Sequence, residues 1–156
     1  MASDIVVRPA RAGEAQALTA LCVRSKAHWG YDAEFMRLSL AMLTVSEADV
    51  ATGCVLVAER VGLAFGMTKV EPDGELGMMF VDLLAMGRGA GRALMDCALQ
   101  ALRAQGLASV GLWVLRGNQR GIRFYEAAGF VEVPGSLQRF ELGGRPVEEV
   151  AMLHFL

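Results

Sequence analysis

Between Met86 and Met95 the chain reads Met-Gly-Arg-Gly-Ala-Gly-Arg-Ala-Leu-Met, a turn with alternating glycines that runs straight into a helix-forming stretch. No other segment constrains the fold as much. Glycine permits left-handed backbone and close approach of a neighbour. The first N–H groups of the helix have no intrahelical partner, so they converge with the positive end of the helix dipole on one point. A strand has to end before such a turn and a helix begin after it, and their junction is a cradle for an anion, phosphate above all.

The flanking pattern sets this junction in a sheet. Residues 5–8 form a short β-branched run, and after Pro9 a helical stretch covers residues 13–24. Helical spacing resumes over residues 32–43, with Asp32 as N-cap, after the aromatic linker His28-Trp29-Gly30-Tyr31. Three strand-like runs follow at 54–59, 63–70 and 75–81, and the turns at Val61-Gly62 and Pro72-Asp73-Gly74 predict an antiparallel meander. After the cradle come a helix over 89–105, a strand over 109–114, a helix over 118–128 and a strand from Val131; crossovers of this kind favour a parallel pair. Both late helices stop at a glycine, Gly106 and Gly129. Residues 136–141 and 147–155 read as a closing hairpin around Gly143-Gly144-Arg145-Pro146. The order β-α-α-β-β-β-α-β-α-β-β describes an α+β fold with a mixed central sheet and a single domain over residues 1–156.

Composition excludes several classes. A chain of 156 residues, 54% hydrophobic and 21% charged, suits one core-bearing domain. Its net charge of −2 comes from scattered acids and bases, which argues against a nucleic-acid partner or a membrane surface. Every apolar run falls short of the ~18 residues that span a bilayer, so a soluble cytoplasmic protein is the expectation. Cys22, Cys54 and Cys97 are far apart, without CxxC or histidine at ligand spacing. They read as reduced small residues, with neither a disulfide framework nor a metal indicated.

The cradle is neither of two common nucleotide motifs. Leu94 stands where a GxGxxG reading from Gly89 needs glycine, and GxxxxGK[S/T] does not occur. A second motif follows on the next helix, Asn118-Gln119-Arg120-Gly121-Ile122-Arg123-Phe124-Tyr125-Glu126-Ala127-Ala128-Gly129-Phe130. Together the two segments resemble the GNAT superfamily of acetyl-CoA-dependent N-acetyltransferases. Gly89 and Gly91 match its Q/R-x-x-G-x-G/A turn, and Asn118, Phe124, Tyr125, Glu126, Gly129 and Phe130 match its N-x-x-A-x-x-F-Y-E-x-x-G-F helix. Two positions depart from the pattern: Met86 replaces the usual Gln or Arg, and Gly121 replaces Ala. Cradling relies on main-chain N–H groups, so Met86 removes one side-chain contact, and Gly121 is expected to open room beside the ligand.

The resemblance implies acetyl transfer from acetyl-CoA to a primary amine by direct attack in a ternary complex. It places the pyrophosphate on Met86, Gly87, Arg88, Gly89, Ala90, Gly91 and Arg92, and the pantetheine arm along Phe80, Val81 and Asp82. Arg88 and Arg92 either add charge-assisted bonds to phosphate or are solvated. Asn118 and Tyr125, seven residues apart, share a helix face. The resemblance gives Asn118 to the pantetheine and the Tyr125 hydroxyl to the CoA sulfur as general acid. An ordinary tyrosine titrates near ~10 and a thiol near ~8.5, so full proton transfer is uphill by ~2 kcal/mol and a shared hydrogen bond is the simpler role. Phe124, off that face, reads as core.

The amine has to be neutral to attack, which calls for a base or a water relay. Glu75 is the candidate, six residues before Val81, where some members of the family supply a base; the plainer reading is a surface glutamate after the turn. For the acceptor, Trp29 and Tyr31 of the aromatic linker either wall the cleft or cap the first two helices. Trp113 reads as core and His154 as a strand residue. Peptide N-termini, lysine side chains, polyamines, aminoglycosides and amino acids all stay open as acceptors, and the apolar tail from Val150 to Leu156 suggests a homodimer. The alternative from another class is a CoA-binding regulatory module that does not turn over.

Overall fold

A computed structural model describes residues 4–156 apart from the side chain of Leu84; Met1 to Ser3, part of the expected domain, lie outside the described residues. Strands β1 (Val6–Pro9), β2 (Val55–Arg60), β3 (Leu63–Val70) and β4 (Leu76–Val81) form an antiparallel sheet in that order, in which β2 to β4 are the expected meander and β1 pairs with the outer edge of β2. Its turns follow their chemistry. Val61 and Gly62 both have positive φ, 51° and 76°, which matches the right-handed twist of a tight hairpin. In the next turn Asp73 Oδ1 accepts the Glu75 N–H at 3.0 Å.

A second antiparallel sheet holds β5 (Ser109–Leu115), β6 (Val131–Glu132), β7 (Gln138–Leu142) and β8 (Arg145–Phe155). Strand β8 is its centre, paired with β5 on one side and with β6 and β7 on the other. The expected closing hairpin is β7–β8. Because β8 is paired on both sides and Val150 and Met152 are buried within the chain, the tail no longer argues for a homodimer.

The expected parallel pair, β4 beside β5, is reduced to one bridge at Glu75 and Gly111. Strand β4 explains why. Its pairing with β3 passes from Lys69 opposite Met78 to Val70 opposite Leu76, which leaves Gly77 as an extra residue. A bulge bends its strand, and β4 turns away from β5 beyond the bridge. The fold is held open there, and the candidate site occupies the gap.

Helices α1 (Ala15–Ala27) and α2 (Ala33–Leu43) cover the first sheet. Leu18, Leu21 and Cys22 of α1 bury against Val55, Val57 and Met67. Asp32 caps α2 as expected, accepting the Phe35 N–H at 2.8 Å. A short helix α3 (Glu47–Ala51) was not expected; Ser46 and Asp49 close a capping box around it.

Helix α4 (Ala90–Ala104) starts at the cradle and α5 (Gln119–Ala127) carries the second motif. The stripe Leu94, Met95, Ala98, Leu99 and Leu102 is buried at helical spacing. Each fully buried leucine there contributes about 2 kcal/mol. Ala90 and Leu94 pack on Ala58 of β2, so the first turn of α4, and the cradle with it, is fixed to the sheet. Among the described residues, no helix is long and apolar enough to cross a membrane.

Candidate functional site

A cleft of about 540 Å³ opens where β4 and β5 part. Leu76 to Val81 of β4 form one wall and Trp113, Val114 and Leu115 of β5 the other. The cradle contributes Met86, Gly87, Gly89, Ala90, Gly91 and Arg92, and α5 contributes Asn118, Arg120, Gly121, Phe124 and Tyr125. From α1 and the linker after it come Ser25, Lys26, Trp29 and Tyr31. The structure therefore brings together most of the residues singled out in the sequence. Asp82, Arg88 and Glu75 fall outside the lining.

In the cradle, Gly87 and Gly89 have φ of 77° and 88°, the left-handed conformation that keeps other residues out. Gly89 is the N-cap of α4 and has no side chain to satisfy the helix. The helical ladder begins with the Ala93 N–H bonding to the Gly89 carbonyl at 3.0 Å, so the N–H groups of Gly89 to Arg92 are open to a ligand, while that of Arg88 is taken by the Ala85 carbonyl at 3.2 Å. Gly91 answers a different need. A Cβ there would stand 3.2 Å from the Phe124 ring and 3.4 Å from Val81, so glycine lets α4 approach α5 and β4.

Asn118 is the N-cap of α5, its Oδ1 accepting the Gly121 N–H at 2.9 Å. The expectation that Gly121 leaves room for a ligand is corrected here. That room holds the Asn118 carboxamide, 2.5 Å from where a Cβ would lie. Tyr125, on the same face as Asn118, packs its ring edgewise against Phe124 and Phe130, with centroids 5.4 and 5.9 Å away. Burial pushes its hydroxyl up to about 12. Phe124, expected in the core, packs against the core and also lines the cleft.

Glu75 sits at the bridge where β4 and β5 meet, at the closed start of the gap. Burial raises its pKa, and the charges of Asp73, Glu71 and Glu149 raise it further. Asp82, expected along the cofactor track, is held from the other side: Arg24 of α1 donates to its Oδ2 at 2.8 Å. Arg88 is exposed.

The aromatic linker both packs and walls the cleft. Trp29 meets His28 edge-on at 4.9 Å, and the Arg120 guanidinium lies 5.3 Å from its ring centre. Tyr31 stacks on Phe35 at 4.8 Å, and the Lys26 ammonium stands within 5.4 Å of both rings. Trp113, expected in the core, is 41% exposed and lines the cleft. Its position in the β5 alternation gave the clue: Val110, Leu112 and Val114 are the buried partners, so Trp113 faces the other way. Lys26 and Arg120 had no sequence signal, because an α1 lysine and an α5 arginine look like solvated helix residues.

The cysteines take no part. All three are free, burial pushes the Cys22 thiol up to about 12, and among the described residues no group of three metal-binding side chains forms.

Residues 16–130 match the profile of the acetyltransferase (GNAT) family. The mycothiol acetyltransferase of Thermomonospora curvata is 42% identical over 80 residues, 49% of this chain and 27% of that protein. That of Beutenbergia cavernae is 48% identical over 60 residues, covering 38% of this chain and 20% of its own length. The chain thus spans about a quarter or less of these curated relatives. Among solved structures, a GCN5-related N-acetyltransferase from Rhodopseudomonas palustris superposes with a TM-score of 0.78 at 20% identity, covering 97% of this chain and 95% of that one. The PaiA N-acetyltransferase from Thermoplasma acidophilum, in complex with coenzyme A, gives 0.77 at 16% identity, covering 97% and 99%. These likenesses establish the shared fold.

Proposed function

The chain belongs to the acetyltransferase (GNAT) family, and on that premise we propose that it moves an acetyl group from acetyl-CoA to a primary amine, with both substrates bound at once. One observation carries the reading: a single gap between β4 and β5 is bordered by an N–H cradle and by Tyr125. When bound there, acetyl-CoA supplies the thioester carbonyl that an amine attacks and the thiolate that leaves.

The chain's own groups suit that ligand. The open N–H groups of Gly87 and of Gly89 to Arg92 hold the pyrophosphate, and Arg92 adds charge. The edge of β4 that faces β5, from Gly77 to Val81, is free to bond an extended amide chain as a further strand would. Asn118 presents its Nδ2 while its Oδ1 is kept for the helix.

Tyr125 donates a hydrogen bond to the leaving sulfur. With its hydroxyl at about 12 and a thiol near ~8.5, outright transfer would cost ~5 kcal/mol, so the proton is shared and stays with the phenol. Glu75 takes the amine proton through water, since it lies outside the lining. Its raised pKa makes it a better base than an ordinary glutamate.

The test is release of free thiol from acetyl-CoA across a panel of amines. Turnover with any of them supports the reading. Tight acetyl-CoA binding with no thiol released across the whole panel marks a CoA-binding regulatory module instead.

A further inference from the structure

The cleft is lined by three charged residues, and all are cations: Lys26, Arg92 and Arg120. Arg92 lies in the first turn of the cradle helix and is accounted for by phosphate. Lys26 and Arg120 are not. Both lie against aromatic rings, the half-buried Lys26 by Tyr31 and Phe35 and the exposed Arg120 over Trp29. Arg24, two residues before Lys26 on α1, is paired with Asp82, and Arg116, just before α5, approaches Glu148. Among the described residues, no carboxylate pairs with Lys26 or Arg120.

A half-buried ammonium without an anion is costly, and aromatic faces offset only part of that cost. Burial lowers the Lys26 pKa, so an anion beside it would favour its charged form. Building on the acetyl-transfer reading, we infer that Lys26 and Arg120 hold a carboxylate carried by the acceptor amine, which makes the acceptor class amino acids with an apolar or aromatic side chain. Trp29, Tyr31 and Trp113 give the apolar contact for that side chain. The acidic groups near the site, Glu71, Asp73, Glu75 and Glu149, gather instead around the start of β4, outside the lining. The lining thus offers cations for a carboxylate and, among the described residues, no carboxylate that would repel it.

The experiment compares each amino acid with the amine it becomes on losing its carboxylate: L-phenylalanine with phenethylamine, L-leucine with isoamylamine. Binding to protein saturated with CoA is measured by calorimetry, and turnover by thiol release from acetyl-CoA. The amino acids are expected to win by about tenfold or more in Kd and in kcat/KM, the worth of one charge-assisted bond. Lys26→Met abolishes that preference and Lys26→Arg keeps it, with the acetyl-CoA Kd unchanged in both. Equal binding of the paired compounds, or a preference for the plain amines, overturns the inference. So does a Lys26→Met variant that weakens acetyl-CoA but not acetylpantetheine, since Lys26 would then serve a CoA phosphate. If no amine turns over, the acetyl-transfer reading fails on its own, and the calorimetric preference still decides whether a carboxylate is held.

Discussion

The Asn118 carboxamide lies over Gly121, bonding its N–H at 2.9 Å and filling the place where a Cβ would stand. One side chain therefore caps α5 and faces the cleft. In Gly121→Ala the new methyl pushes the flexible end of Asn118 aside. The helix gains about 1 kcal/mol in propensity and loses about 1 kcal/mol of cap, so stability in urea changes little. The acetyl-CoA Kd is expected to rise several-fold. Asn118→Ala loses the cap with no compensating gain, about 1 kcal/mol, and weakens acetyl-CoA as well. An unchanged Kd in both variants removes Asn118 from the cofactor contacts.

The cradle glycines separate backbone strain from crowding. Nothing lies within 4 Å of a Cβ on Gly89, but its φ of 88° makes Gly89→Ala cost about 1–2 kcal/mol through the main chain alone. Relief of that strain turns the N–H groups, so acetyl-CoA binding falls with stability. At Gly91 the φ is ordinary and the cost comes from the Phe124 ring 3.2 Å away. Gly91→Ala combined with Phe124→Leu is expected to recover part of the stability lost in Gly91→Ala, read from urea midpoints. No second-site change of this kind recovers Gly89→Ala.

How much of this was legible in the chain follows from the range of each signal. The cradle, the meander turns and both helix stops rest on glycine, asparagine and aspartate acting within a few residues, and these were readable. The capping box of α3 was readable by the same rule, in Ser46 and Asp49, but five residues are too few to carry an apolar period. The opening of the site was not readable. It depends on the extra residue Gly77 in β4, which exists only relative to the register of β3, and on β5 meeting β4 at a single bridge. Lys26 and Arg120 became site residues through that gap, which no local pattern announces, whereas the β5 alternation marked Trp113.

Tyr125→Phe isolates the hydroxyl. Among the described residues no group hydrogen-bonds it, and the ring contacts with Phe124 and Phe130 remain in the variant, so stability is expected to stay within about 0.5 kcal/mol. Turnover is expected to fall by about 10–100-fold, with the acetyl-CoA Kd within about twofold, because the proposed bond forms only as sulfur departs. Since the phenol titrates at about 12, it stays protonated through the working range, and the pH profile of kcat below pH 10 keeps its shape in the variant. A change in the alkaline limb below pH 10 would show that the hydroxyl ionises in the reaction.

Glu75 sets stability against activity. Its carboxyl is raised by burial first and then by Asp73, Glu71 and Glu149, so folding favours its protonated form. The stabilisation from that proton is fully present below the ordinary glutamate value near ~4.3 and is lost as pH rises through the raised folded value. At pH 7 the ionised group therefore works against the fold. Glu75→Gln removes the charge, and its melting temperature is expected to exceed that of the parent at pH 7, the gap closing below about pH 4. The same variant lacks the proposed base, so kcat is expected to drop by about 100-fold and the acid limb of the kcat profile to disappear. A variant that is more stable at pH 7 with turnover and acid limb intact would leave Glu75 a surface carboxylate and assign the amine proton to water alone.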